Sequence, residues 1–426
     1  MPKLVDDEHI FEARSLLQRH RSAAASLSLW EAHIAARTSL YVLRDAMHAI
    51  ELSREIGSDV RVTLVVFGSL GRLEFVPALS DVDPIIVWDA PRDEPTMAAR
   101  LREGLIGRLA RAHSWLQIDD RSTFLTDGWD AVKNVDMKFP VFNRADLLAD
   151  TAEAERRRWQ IMFESRPLFG STFYSELFGE VCAAQSDAEP TDFSRLAQKS
   201  LNYFSHFEEP EMYKDAVKYF KATLFRDFYK FANITNLALG WRAQFSESVD
   251  LFKHLRAPSL VKIWRLVQLP DTAEQSSVTG SRSVALAGLL SDLAGVAADD
   301  SLSQIVPPPA YRDETAQLLY RLIVRLVYRF TQCWEEMYRP ATRNALRGIR
   351  GIKFDAVFPT AIDDAAAEQK IEQLLDLRRK YLTEMRNLAR VLAEYFFVGT
   401  NWVVSHEIPR AFANSISPFA RQGDAI

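Results

Sequence analysis

Two carboxylates and a glycine–serine pair are the residues in this chain whose types and spacing could do chemistry. Asp81 and Asp83 flank Val82, so on a strand both side chains leave the same face. Paired carboxylates repel one another unless a cation neutralises them. Their hard oxygen donors suit Mg²⁺ or Mn²⁺. Upstream lies Gly68–Ser69, with eleven residues between Ser69 and Asp81. Gly68 has no Cβ, so backbone there can approach a ligand closely. Ser69 adds a hydroxyl and a further N–H, and consecutive N–H groups in such a turn form a concavity that suits phosphate oxygens. A phosphate cradle beside a cation-binding carboxylate pair is equipment for phosphoryl or nucleotidyl transfer.

Both features need rigid strands to hold them. The apolar run Val62–Phe67 predicts a buried strand that ends at Gly68. A second apolar run, Ile85–Trp88, predicts a strand carrying Asp81 and Asp83 at its start. Pro84 sits inside that strand signal. Proline is confined to edges, strand starts or bulges, and it favours an extended Asp83 before it. Residues 7–56 show apolar residues at helical spacing, closed by Gly57, and are expected to pack on the same sheet. After the turn Ala90–Pro95, residues 96–114 read as an amphipathic helix, 115–120 as a short strand, and Val135, Met137, Phe139 and Val141 as an alternating strand.

The pattern Gly68-Ser69-Leu70-Gly71-Arg72-Leu73-Glu74 … Ser80-Asp81-Val82-Asp83 resembles the signature of the polymerase β-like nucleotidyltransferase superfamily. In its finer form it is similar to the bacterial uridylyltransferases of nitrogen signalling. The resemblance covers roughly residues 60–170. It implies a mixed sheet with flanking helices, an NTP substrate, two Mg²⁺ or Mn²⁺ ions, and transfer of a nucleoside monophosphate group with release of pyrophosphate. Asp81 and Asp83 would be metal ligands and catalytic residues, and Gly68 and Ser69 would hold the β- and γ-phosphates. The family adds a third carboxylate from a later strand. Asp136, in Val135-Asp136-Met137, matches that context better than its rival Asp119 in Ile118-Asp119-Asp120. Arg72 either adds charge at the phosphates or is an exposed, salt-bridging arginine. Residues 156–170 resemble the arginine-containing apolar helix that closes this domain in relatives, with Arg166-Pro167 at its end.

The rest of the chain reads as helical. Expected helices span 194–208, 211–233, 247–267, 281–298, 312–338 and 366–397, after a polar linker at 183–192. Aromatics crowd the second of these, from Tyr213 to Phe231, as packing for a bundle. Lys214, Lys218 and Lys221 share one face of it. By resemblance Lys218 and Lys221 are nucleotide-binding cations; read as residues alone they are a solvated face. The expected architecture is α+β: N-terminal helices at 1–57, a nucleotidyltransferase domain at 58–182, and a larger all-α domain at 193–426.

Composition narrows the alternatives. The net charge of −5 makes nucleic acid an unlikely partner. Cys182 and Cys333 are the two cysteines, too few for a disulfide framework. No signal peptide or membrane-spanning run is visible, so a cytoplasmic location without membrane attachment is expected. The histidines show no metal-ligand spacing, and there is no Walker loop, GxGxxG or GxSxG. The acceptor is open: a protein side chain or a small molecule. The competing reading is a catalytically inactive nucleotide sensor or protein-interaction module of the same fold.

Overall fold

The structure, a computed structural model, describes residues 60–74, 83–89, 141–185, 200, 203, 225–239, 256–266, 305–307, 309, 314–349 and 365–392. These are mostly helical with one small mixed sheet, an α+β composition. They fall into two units. One holds the described residues from 60 to 185 together with Arg256–Pro258; the other holds those from 200 to 239 and from Ser259 onward.

The sheet unit is built on β1 (Arg61–Phe67), whose interior is buried on both faces. β2 (Asp83–Asp89) pairs antiparallel with it, from Arg61 opposite Asp89 to Phe67 opposite Asp83. β3 (Val141–Asn143) lies parallel to β2, and β4 (Arg166–Phe169) lies antiparallel to β1, giving the order β3-β2-β1-β4. Pro84 is the second residue of β2, opposite Val66. It therefore occupies the strand start that a residue without an N–H tolerates.

Among the described residues, two longer helices pack on the sheet. In α1 (Ala152–Glu164), Thr151 caps the start by accepting from the Ala154 N–H, and Glu153 and Glu155 place negative charge in the first turn. Its buried side includes Trp159, Ile161, Met162 and Phe163, with the Trp159 and Phe163 rings stacked 5.2 Å apart. In α2 (Ser171–Gln185), Phe173, Tyr174, Leu177, Phe178 and Val181 recur at helical spacing and are buried. The buried Arg158 guanidinium donates to the Leu147 and Ala149 carbonyls, both at 2.8 Å, and to Gln185, tying α1 to the chain before it and to α2.

The helix expected to end at Arg166-Pro167 stops two residues earlier, at Glu164, and Arg166–Phe169 is a fourth strand that was not expected. Arg166 precedes a proline, which disfavours helical backbone, and Pro167 is admissible because β4 is the outermost of the described strands on that side. The separate helix α2 follows it from Ser171 and runs past the linker start expected at 183.

The helical unit centres on α5 (Glu314–Tyr338) and α7 (Ala365–Leu392). They run antiparallel, since Arg325 pairs with Glu384 at 2.6 Å and Lys370 lies near Glu336. Between them α6 (Pro340–Gly348) starts with proline at its first position, where no N–H is needed. α3 (Asp227–Leu239) outlasts the expected end at 233, with Asn233 and Asn236 each donating to the carbonyl four residues back. The helix expected over 247–267 is broken: residues 256–258 are non-helical, and α4 (Ser259–Arg265) begins after Pro258. Phe228 stacks on Phe330 at 3.8 Å, so the aromatics of α3 that are described do pack as a core. The helices expected at 281–298 and the N-terminal segment 1–57 lie outside the described residues. Among the described residues no helix is long and apolar enough to cross a membrane.

Candidate functional site

The site is the junction where β1 ends. Gly68–Gly71 forms a single helical turn directly after Phe67. Gly68 sits at φ +67, a region that costs other residues about 1–2 kcal/mol. The turn closes as a Schellman motif: the Glu74 N–H donates to the Ser69 carbonyl at 2.8 Å and the Leu73 N–H to the Leu70 carbonyl at 3.1 Å. Leu73 takes the left-handed position at φ 60, which glycine usually fills. Its side chain is buried, and that burial offsets the backbone cost.

Gly68 and Ser69 are half-buried, while Leu70 and Gly71 are buried beneath them. The first two therefore form the accessible part of the turn. Gly71 has a packing reason to be glycine: a Cβ there would lie 1.9 Å from the Glu164 carbonyl oxygen and 2.8 Å from that of Val66.

The register brings Asp83 to this turn. Asp83 is the β2 partner of Phe67, the residue immediately before Gly68. The strand position of one expected metal ligand thus lies across the ladder from the expected phosphate turn. Asp81, Asp136 and Asp119 lie outside the described residues, as do Lys214, Lys218 and Lys221.

Arg72 is neither exposed nor at the surface of the turn. It is 7% exposed, and its guanidinium donates to Glu74 at 2.9 Å through Nε and to Glu164 at 2.5 Å through Nη1. The exposed salt bridge considered from sequence is corrected to a buried one. Glu74, in the same motif, and Glu164, from the end of α1, are the residues that sequence reasoning missed. Glu74 was visible two positions from Arg72; nothing local signals Glu164.

A second charged group sits at the opposite end of β1. Arg61 bonds Asp89 and Glu176, each at 2.5 Å, and Arg144 bonds Asp89 at 3.2 Å and also Glu180. The Arg61 hydrogen bond, helped by the charge of Arg144, holds the Asp89 carboxyl below the usual carboxylate range. These charges are paired with one another and partly exposed, which suits a strand-end fastening.

Among the described residues no three His, Cys, Asp or Glu side chains gather into a metal site. That bears on places other than the Asp81–Asp83 pair, because Asp81 lies outside those residues. No protein-family model matches the chain. No curated protein matches it significantly.

Proposed function

We propose that the sheet unit binds a nucleoside triphosphate at Gly68–Ser69 and transfers its nucleoside monophosphate group to an acceptor hydroxyl, with pyrophosphate leaving. The observation that carries this reading is the pairing of Phe67 with Asp83. It sets an acidic strand position beside a glycine turn whose first residue has left-handed backbone.

The donor set fits hard divalent ions: Asp81, Asp83 and Asp136 would hold two Mg²⁺ or Mn²⁺. Such ions neutralise phosphate oxygens and activate an attacking hydroxyl. Asp136, in Val135-Asp136-Met137, is the preferred third acid over Asp119 because its apolar-Asp-apolar context matches the resemblance better.

The chain's own groups divide the work. The Gly68 and Ser69 amides and the Ser69 hydroxyl hold phosphate oxygens. Asp136 takes the acceptor proton, subject to hydrogen-bond reach of that hydroxyl. The acceptor is a hydroxyl of a protein side chain or of a small molecule, in keeping with the acidic net charge.

Calorimetric titration with each NTP in Mg²⁺, Mn²⁺ and EDTA tests the binding half. Wild type should bind with metal and lose that increment in EDTA, and the Asp81→Asn/Asp83→Asn variant should not show the increment. Equal affinity of the two proteins in Mg²⁺ overturns the metal assignment. Incubation with labelled NTPs and lysate tests transfer. Binding without any labelled product would leave the nucleotide-sensing reading standing instead.

A further inference from the structure

We infer that the α1–β4 junction, Glu164 to Arg166, positions the Gly68–Ser69 turn, with Glu164 as the principal positioning residue. The inference rests on the proposed nucleotide site and says what gives that site its geometry.

Three separate contacts from this junction converge on two residues of the turn. The Glu164 carboxylate accepts from Arg72 Nη1 at 2.5 Å. The Glu164 backbone carbonyl lies so close to Gly71 that a Cβ there would come within 1.9 Å of it. Arg166 Nε donates to the Gly71 carbonyl at 2.8 Å, and its Nη2 donates to the Arg256 carbonyl at 2.9 Å. Gly71 is thus held by its carbonyl and by close packing, and Arg72 by its side chain.

The same arrangement gives Arg72 a different task from phosphate contact. Its guanidinium joins Glu74, just past the turn, to Glu164, 92 residues away in sequence. A planar fork can bridge two carboxylates in fixed geometry where an ammonium cannot. The two accessible residues, Gly68 and Ser69, therefore sit on a platform whose buried half is fixed from α1 and β4. Amides that must meet phosphate oxygens at hydrogen-bond distance depend on such support, and at metal sites the loss of a comparable outer partner costs about 10–100-fold in affinity or activity.

The experiment uses the full chain with Glu164→Gln, which is near-isosteric, Arg72→Lys, which keeps the charge and removes the fork, and Glu153→Gln on the exposed side of α1 as the control. MgNTP affinity is measured by calorimetry, folding by thermal melt, and rigidity of the turn by hydrogen exchange of the Ser69–Glu74 amides. The expected result is roughly 10–100-fold weaker nucleotide binding and faster exchange at Leu73 and Glu74 in both variants. Glu153→Gln should match wild type in both readouts. Unchanged exchange, or unchanged binding in a folded variant, overturns the positioning role. Should Glu164→Gln not fold, Arg72→Lys decides, since it keeps the buried positive charge. If wild type binds no nucleotide, the functional proposal fails on the titration. The exchange measurement then still decides whether the junction holds the turn.

Discussion

Gly71→Ala is the sharpest test of how the sheet unit is assembled. The added Cβ would lie 1.9 Å from the Glu164 carbonyl oxygen and 2.8 Å from the Val66 carbonyl oxygen. Both obstacles are backbone, so no side chain can rotate away. Ordinary contact begins near 3.4 Å, so the turn and the end of α1 must part by about 1.5 Å to admit one methyl group. That movement pulls on the Arg72–Glu164 ion pair and on the Arg166 bond to the Gly71 carbonyl. Overpacking alone costs about 1–3 kcal/mol, and breaking a buried ion pair about 3–5 kcal/mol. A loss of about 3 kcal/mol or more is therefore expected for the sheet unit. Urea unfolding followed by tryptophan fluorescence reads it, because Trp88 and Trp159 are buried in that unit. With a slope near 1–3 kcal/mol per molar, the midpoint should fall by about 1 M or more. A variant whose midpoint stays within about 0.3 M of wild type, at unchanged slope, would refute the account of the packed turn.

Other substitutions extend the test. Gly179 lies inside α2 with open space where a Cβ would go, so Gly179→Ala should stabilise the unit by about 0.5–1 kcal/mol, read from the same urea curves. Asp89 is held below its ordinary value of 3.8 by its hydrogen bond to Arg61 and the charge of Arg144. A depressed folded value means stability that is present above the unfolded pKa and is lost as pH falls through the folded one. The stability gap between wild type and Asp89→Asn should therefore shrink as pH drops below about 4 in stability-versus-pH curves. A constant gap across that window would refute the coupling. Burial pushes the Cys333 thiol up to about 12, and Cys182 is buried too. At pH 8 neither should react with a disulfide reagent until the chain is unfolded in guanidinium, and rapid native labelling would contradict this burial.

The parts legible in the sequence are those encoded by contiguous residues. Val62–Phe67 and Ile85–Trp88 are strongly apolar runs, and both are strands. The Gly68–Ser69 break falls where β1 ends. β4 was not legible, because four residues with an arginine and a proline give no period, and its partner strand is about 100 residues away. The end of α3 was missed for a different reason. Asn233 and Asn236 are weak helix formers by propensity, yet both side chains donate to the preceding turn and Asn236 also to the Lys262 carbonyl. Pro258 lies within 247–267, and it makes a break there that the helical spacing on either side does not record. Gly68 could be singled out from its type alone. The partner that fixes Arg72 is set by where α1 ends in space, which no local pattern records.

The place of β4 in the chain also bears on how the protein is made. β1 is the middle of the sheet, with β2 on one side and β4 on the other. Val66 meets Arg166 only once 100 further residues exist. At translation rates of about 5–20 residues per second, that interval lasts roughly 5–20 s. Throughout it, the open flank of a Val-Thr-Leu-Val-Val-Phe strand is available to any other extended chain. When β4 docks, it closes that flank and puts Pro167 on the new outer rim, where a missing N–H discourages further pairing. Nascent or truncated chains ending before Phe169 should therefore aggregate or engage chaperones, whereas chains released just beyond α2 carry a β1 that is paired on both sides.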